Sequence, residues 1–454
     1  MMLKAAVNAF KVPDLRRKIL FTLAMLVAFR LVSHIPVPMV NAAAVGEILR
    51  NNAILNFLDF FSGGALVNFS VAALGVYPYI TASIVMQLLV PIIPALERIS
   101  QEPKGQEKIN KWTYWLTIPL AALQGYGQMF MLVNQQSGGT RILNVGEWNL
   151  FSLEYFLPSF TILLSLIAGT MILIWIGDLI TEQGIGNGLS MIIFGGIVAR
   201  LPATLGQMMQ SGETTVAGWA GVILFLVIGL ITIVGIVAIQ EGKRELRVRY
   251  SSQVRGTKMY GGARTTLPLK VNMAGMIPLI FAQSFMVFPG TVASYLVPPG
   301  YTAANPAGGG DPASWTFVQR AAVWVSNIFS TTSAVYWILL FVLVMFFTFF
   351  YTVVVFSQTN MAKNLQKQGA FIEGLRPGER TDKYLNKIVN RITLIGAVFL
   401  AVVAVLPFVV QQATGIEVGL SATGLLIVVG VAVDTMKQLE GQLAIRGYEK
   451  FIRR

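Results

Sequence analysis

The chain has 454 residues, of which 55% are hydrophobic and only 12% charged, with a mean hydropathy of +0.66. A soluble domain carries roughly 25% charged residues, so this composition points to a polytopic membrane protein. The formal net charge is +13; with no cysteine and a single histidine, His34, disulfides, thiolate or clustered-histidine metal sites and a thiol nucleophile are excluded.

The N-terminal segment is basic (Lys4, Lys11, Arg16, Arg17, Lys18), and Pro13 interrupts any helix ahead of a first span at about Ile19 to Ile35. That apolar run reads as a retained span rather than the short core of a cleaved leader. Arg30 and His34 near its far end are expected to snorkel to the interface. Two apolar segments follow between Asn56 and Pro94. The first, Asn56 to Val67, is short, contains Asp59 and breaks at Ser62-Gly63-Gly64, whereas a spanning helix needs roughly 20 apolar residues. It reads either as an external loop with a surface helix or as a half-length helix hinged to the full span that starts at Tyr77-Pro78-Tyr79 and runs to Pro91. Non-helical backbone at membrane depth survives only inside protein or along a water-filled path, which would make such a half-helix a moving part.

Further spans are expected at about Trp112 to Val133, Tyr155 to Ile176, Leu189 to Leu205, Val216 to Ile239, Val271 to Leu296 (containing Pro278), Thr332 to Phe356, Ile392 to Val410 and Leu420 to Val433. That makes ten. The N-terminus, the loops Ala95 to Lys111, Gln240 to Lys270 and Ser357 to Lys387, and the C-terminal tail hold most of the 34 Lys and Arg, against Arg50, Arg141, Arg200 and Arg320 on the other side. The positive-inside rule then places both termini in the cytoplasm. Five spans per half, residues 1–210 and 211–454, would enter from opposite faces as inverted repeats, with Pro78 in the second span answering Pro278 in the seventh.

No catalytic set emerges. Gly184-Ile185-Gly186-Asn187-Gly188 reads as a tight turn, since no strand-linked dinucleotide motif and no Gly-Lys-Ser/Thr is present. Carboxylates at span ends (Asp178, Glu182, Asp434) do not supply the midplane charges that a coupled transporter uses. Aliphatic residues stand there instead: Ile80 with Ile84, Leu189 with Ile193, Ile280 and Ile427. They either pack and face lipid or form a constriction that gates by excluding water. The two long basic loops, with Lys243, Arg244, Arg247, Arg249, Arg255, Lys258, Arg264 and Lys270 in one and Lys363, Lys367, Arg376, Arg380, Lys383 and Lys387 in the other, have two readings. They set topology beside anionic lipid, or they dock an acidic partner or RNA phosphate.

Several stretches, in this order and spacing, carry a family resemblance. They are Tyr79-Ile80-Thr81-Ala82-Ser83-Ile84 with Gln87-Leu88-Leu89, the Gly184 to Gly188 turn, and Leu267-Pro268-Leu269-Lys270-Val271-Asn272-Met273-Ala274-Gly275. Gly369-Ala370-Phe371 and Gly374-Leu375-Arg376-Pro377-Gly378 complete the set. Over nearly its whole length the chain resembles the SecY family, channel subunits of the bacterial protein-conducting translocon.

The resemblance implies an all-α fold of ten transmembrane helices, two inverted five-helix halves around a central pore. It implies a plug at about residues 56–67 (Phe57, Leu58, Asp59, Phe60, Phe61, Ser62, Gly63, Gly64, Ala65, Leu66, Val67). It also implies a pore ring of Ile80, Ile84, Leu189, Ile193, Ile280 and Ile427, with Leu189 where the family usually has isoleucine. Spans two and seven against three and eight would form a lateral gate, with Gln87 and Asn272 as polar gate residues. Arg244, Arg247, Arg249, Arg255, Lys258, Arg376 and Arg380 would dock the motor ATPase SecA or the ribosome, Arg376 foremost; Thr257-Lys258 replaces the family's adjacent basic pair.

The implied function is translocation of unfolded preprotein bearing a signal peptide, and lateral release of transmembrane segments, in the bacterial plasma membrane. The small subunits SecE and SecG and anionic lipid are implied partners, with no enzyme activity, metal or cofactor. An inverted-repeat secondary transporter and a passive scaffold are the competing classes.

Overall fold

A computed structural model describes residues 10–42, 44–46, 59, 62–102, 104–134, 142–143, 148, 154–212, 216–250, 252–255, 258–261, 264–298, 315–330, 333–359, 361–375, 378–414 and 422–452. Among these, each of the ten expected spans falls on one helix. Helix α1 (Pro13–Val32) opens on Pro13, whose fixed φ and missing N–H suit a first helical position. Helix α2 (Tyr77–Ile92) has 16 residues, about 24 Å of rise, less than a full hydrocarbon core. It turns by 103° into α3 (Pro94–Ser100). Pro94 disfavours a helical Ile93, which is extended at φ −97°, ψ 111°, and this makes the corner.

Then follow α4 (Gly105–Asn134), α5 (Phe156–Gln183), α6 (Gly188–Gly212) and α7 (Val216–Glu241). After four strands, β1 (Lys243–Tyr250), β2 (Ser252–Arg255), β3 (Lys258–Gly261) and β4 (Arg264–Lys270), come α8 (Ile277–Leu296), α9 (Phe317–Ile328), α10 (Ala334–Thr359) and α11 (Met361–Lys367). Strand β5 (Ala370–Ile372) precedes α12 (Glu379–Thr414) and α13 (Ala422–Ile452). By length and composition, three described stretches suffice to cross a bilayer alone, Phe156–Gln183, Ala334–Lys367 and Glu379–Leu406, and the bent α2–α3 pair makes a fourth if it is one span. The other helices are shorter apolar pieces or carry charged ends.

Two expectations need correction. The seventh span does not start at Val271: residues 271–276 form turns and the helix starts at Ile277, so Pro278 lies in its first turn, as Pro78 does in α2. The basic segments are not plain loops. Strands β4, β1 and β5 form a three-stranded antiparallel sheet, with Leu246 opposite Leu267 and Arg249 opposite both Arg264 and Phe371, while β2 and β3 pair separately. Lys243–Tyr250 alternates so that Leu246 and Val248 are buried and Arg244 and Arg247 exposed, the two-residue period of a half-buried strand. The second basic segment becomes helical from Glu379, thirteen residues before the expected span.

The chain divides into two compact units, residues 1–214, 284–336 and 431–454 in one and 215–283 and 337–430 in the other. The first has a core where Leu66, Phe69, Ala73 and Leu74 pack with Ala121, Met129, Ile162 and Leu166 of α4 and α5. In the second, Leu246, Val248, Leu269 and Ile372 of the sheet pack on Leu365 of α11 and on Leu385, Ile388, Val389 and Ile392 of α12.

Candidate functional site

In the first unit the chain from Asp59 to Val76 is neither a surface helix nor a span. Asp59 and Ser62 are helical, and Gly63 to Val76 runs in successive turns with Gly63, Gly64 and Gly75 at positive φ; Phe57, Leu58, Phe60 and Phe61 lie outside the described residues. Asp59 organises the turn. Its Oδ1 accepts from the backbone N–H of Leu66 and of Val67, both at 3.0 Å, and Ser62 Oγ donates to the Asp59 carbonyl at 3.0 Å. Asp59 is fully buried, and its Oδ2 meets Arg200 Nη2 of α6 at 2.5 Å. Burial pushes the Asp59 carboxyl above its ordinary range, while the Arg200 guanidinium and the two amides pull against that rise.

A second arginine reaches the same turn. Arg30 of α1, expected to snorkel, instead donates from Nη1 to the Gly63 carbonyl at 2.8 Å. The turn also lies directly on α6: a Cβ on Gly63 would come within 2.5 Å of the Gly196 Cα, and one on Gly196 within 2.8 Å of the Gly63 Cα. Only glycine on both sides permits that approach. Beyond it, Val37 N–H donates to Phe69 O and Val71 N–H to Ile35 O, both at 2.9 Å, and Leu66 and Phe69 enter the core.

The six aliphatic positions divide between the units. Ile84 and Ile193 are buried in the first, Ile80 and Leu189 half-buried; Leu189 lies against Gly177 of α5. Ile280 and Ile427 are buried in the second. Of the polar gate candidates, Gln87 donates to Ser83 Oγ one turn back at 2.9 Å, and Asn272 donates to the Gly275 carbonyl at 2.9 Å, holding the turn ahead of α8. At the start of α2, Tyr77 donates to the carbonyl of Ser284 in α8 at 3.4 Å.

Of the docking candidates, Arg244, Arg247 and Arg380 are exposed. Arg249 pairs with Glu373 at 2.8 Å. Arg255 and Lys258 pair in register across the β2–β3 hairpin, and Arg376 lies outside the described residues.

The Gly184–Gly188 turn is the expected tight turn, but it is also a junction. Ile185 N–H donates to Thr22 Oγ1 of α1 at 3.1 Å and Gly186 N–H to Gln438 Oε1 of α13 at 3.0 Å. Asn187 Oδ1 accepts from Ser190 N–H at 3.1 Å, capping α6.

Residues 70–436 match the SecY family. The chain belongs to the SecY family. The protein translocase subunit SecY of Thermotoga maritima is 39% identical over 467 residues, covering 100% of this chain and 98% of that protein. A solved SecY structure, described as one whose plug domain stabilises the closed state of the translocation channel and maintains a membrane seal, aligns with a TM-score of 0.62 at 17% identity over 95% of each chain. Sec61 in a canine ribosome–channel complex from the endoplasmic reticulum aligns at 0.57 and 16% identity, also over 95% of each. These likenesses establish the all-α polytopic fold of SecY channels, and family membership makes the chain a multi-pass translocase subunit.

Sequence reasoning missed Arg30, Arg200 and Gly196. An arginine within an apolar helix was the available signal, since such a charge needs a partner.

Proposed function

We propose that this SecY-family chain lines the pore of a protein-conducting channel in the bacterial plasma membrane, with both termini cytoplasmic. Unfolded secretory polypeptide, led by its signal peptide, passes outward, and hydrophobic segments leave sideways into lipid. The observation that carries this reading is the Asp59–Val76 segment. It is non-helical backbone held against α1 and α6 by charged groups, which a membrane protein tolerates only inside protein or beside a water path. Residues 57–67 act as the plug.

Ile80, Ile84, Leu189, Ile193, Ile280 and Ile427 act as a gasket: aliphatic groups touch any passing side chain without demanding hydrogen bonds, and exclude water when empty. Spans two and seven part from three and eight to open the lateral path, near Gln87 and Asn272; the Tyr77–Ser284 hydrogen bond supports a closed contact between spans two and seven. The exposed cations of the sheet and of α12 dock SecA or the ribosome, with Arg376 foremost, and SecE, SecG and anionic lipid surround the chain. Residues 1–210 and 211–454 are inverted halves, a reading supported by the matching second-position prolines of α2 and α8. Energy comes from the partners, and the chain itself hydrolyses nothing.

The test is ion conductance of the reconstituted chain, intact and with residues 57–67 deleted. The intact chain stays closed and the deletion leaks. Equal silence in both removes the sealing role of the plug, and a saturable current coupled to a small solute overturns the channel reading.

A further inference from the structure

We propose that the plug is held shut by a two-arginine latch: Arg200 of α6 pairs with the buried Asp59 carboxylate, and Arg30 of α1 holds the Gly63 carbonyl. This rests on the plug reading above and adds the residues that set how firmly the plug is seated.

Three features carry it. The first is a division of labour within one carboxylate. Asp59 Oδ1 binds inward, to Leu66 and Val67 N–H of its own turn, while Oδ2 faces Arg200. The turn is therefore preformed, and it can leave α6 with its internal hydrogen bonds intact. The second is the asymmetry of burial: the Asp59 side chain is 0% exposed and that of Arg200 30%. Separating them in place would strand a carboxylate in a dry site, which is far costlier than breaking a surface pair. Release is consequently favoured only when Asp59 moves out as a whole to where water reaches it. The third is the glycine seat. Gly63 and Gly196 touch backbone to backbone, so the turn has one seated position, and both arginines grip within that footprint, Arg30 on Gly63 itself and Arg200 on Asp59 while its side chain passes Gly64. Gripped by opposite chemistry, a carboxylate and a carbonyl, on two different helices, the plug leaves its seat when both hydrogen-bonded contacts go together.

The experiment exploits the lack of cysteine in the natural chain. Ser62, 1% exposed in the turn, is replaced by cysteine in the full chain, reconstituted with its partner subunits. Labelling by a membrane-impermeant maleimide from outside is followed together with resting ion conductance. The expected result is slow labelling in the parent, on the order of tenfold faster labelling in R200Q, and faster still in R30Q/R200Q, with conductance rising in step. R200K, which keeps the charge, stays close to the parent.

Unchanged labelling in R200Q and in R30Q/R200Q overturns the latch, even if deletion of residues 57–67 leaks and the plug reading stands. Fast labelling with no added conductance keeps the latch and overturns the plug as the seal. R30Q removes only a partner of a neutral carbonyl, so it decides the matter if R200Q does not assemble: labelling at the parent rate then counts against the proposal.

Discussion

Arg249 of β1 and Glu373, one residue past β5, form an ion pair at 2.8 Å. It joins two basic segments 124 positions apart, 373 minus 249, into one sheet. The consequence is that the cations proposed for docking differ in kind. Arg247 is exposed, whereas Arg249 is engaged within the sheet. Both partners of that pair are about two-fifths exposed, so water screens it, and R249A costs below about 1 kcal/mol of stability. The expected outcome in a binding titration with SecA or ribosomes is that R247A weakens association and lowers its salt dependence while thermal unfolding is unchanged. Unchanged binding in R247A and R249A together would falsify docking through this strand.

The sheet stands on its inner face, not on that pair. Val248 is 1% exposed and Leu385 of α12 is 0%, and both belong to one core. L385A removes buried methylenes and costs about 2–5 kcal/mol. V248D buries a carboxylate and costs more, or expels the strand. Limited proteolysis of the reconstituted chain checks this: cleavage concentrates within residues 243–270 in both variants and leaves the helices of the first unit intact. Uniform cleavage throughout would mean that the sheet is not separately held by α12.

The spans are legible in the sequence because apolar runs such as Tyr336–Phe356 have no other way to satisfy backbone groups in lipid. The sheet is harder to see. Leu246 and Val248 do alternate with charged neighbours, but the cations dominate the local composition. The partner β5 is only three residues long and lies far along the chain, so nothing local predicts it. Span ends fail for a similar reason. Val271 is apolar but sits in a turn held by the Asn272–Gly275 hydrogen bond, and Gly275 at φ 65° is not helical. Asp59 stands out as an acid in an apolar segment, but its partner Arg200 is 141 positions away, 200 minus 59. Charge in an apolar element signals that a partner exists; only the fold says which one.

The Gly184–Gly188 turn yields a prediction about assembly. Ile185 is 4% exposed, and its N–H is met by Thr22 Oγ1. T22V keeps the shape of the side chain and strands that N–H, at a cost of about 1–3 kcal/mol. T22S keeps the hydroxyl and much of the stability. A thermal melt of the two variants in detergent separates the hydrogen bond from packing, since T22S loses a methyl and T22V loses none. Equal loss in both would show that the methyl matters and the hydroxyl does not.

The aliphatic positions allow packing and pore lining to be told apart, because exposure differs along one helix face. Ile84 and Ile193 are 9% and 5% exposed, whereas Ile80 is half-buried. If these residues only pack the first unit, asparagine at Ile193 buries an amide and lowers the melting temperature, and asparagine at Ile80 has little effect on anything. If they form a gasket, I80N places a polar group where the pore excludes water, and resting conductance rises with little change in melting temperature. The expected outcome is the second: I80N leaks and stays folded, and I80V, still aliphatic, stays closed. Conductance of I80N indistinguishable from the parent would assign Ile80 to packing and remove it from the ring.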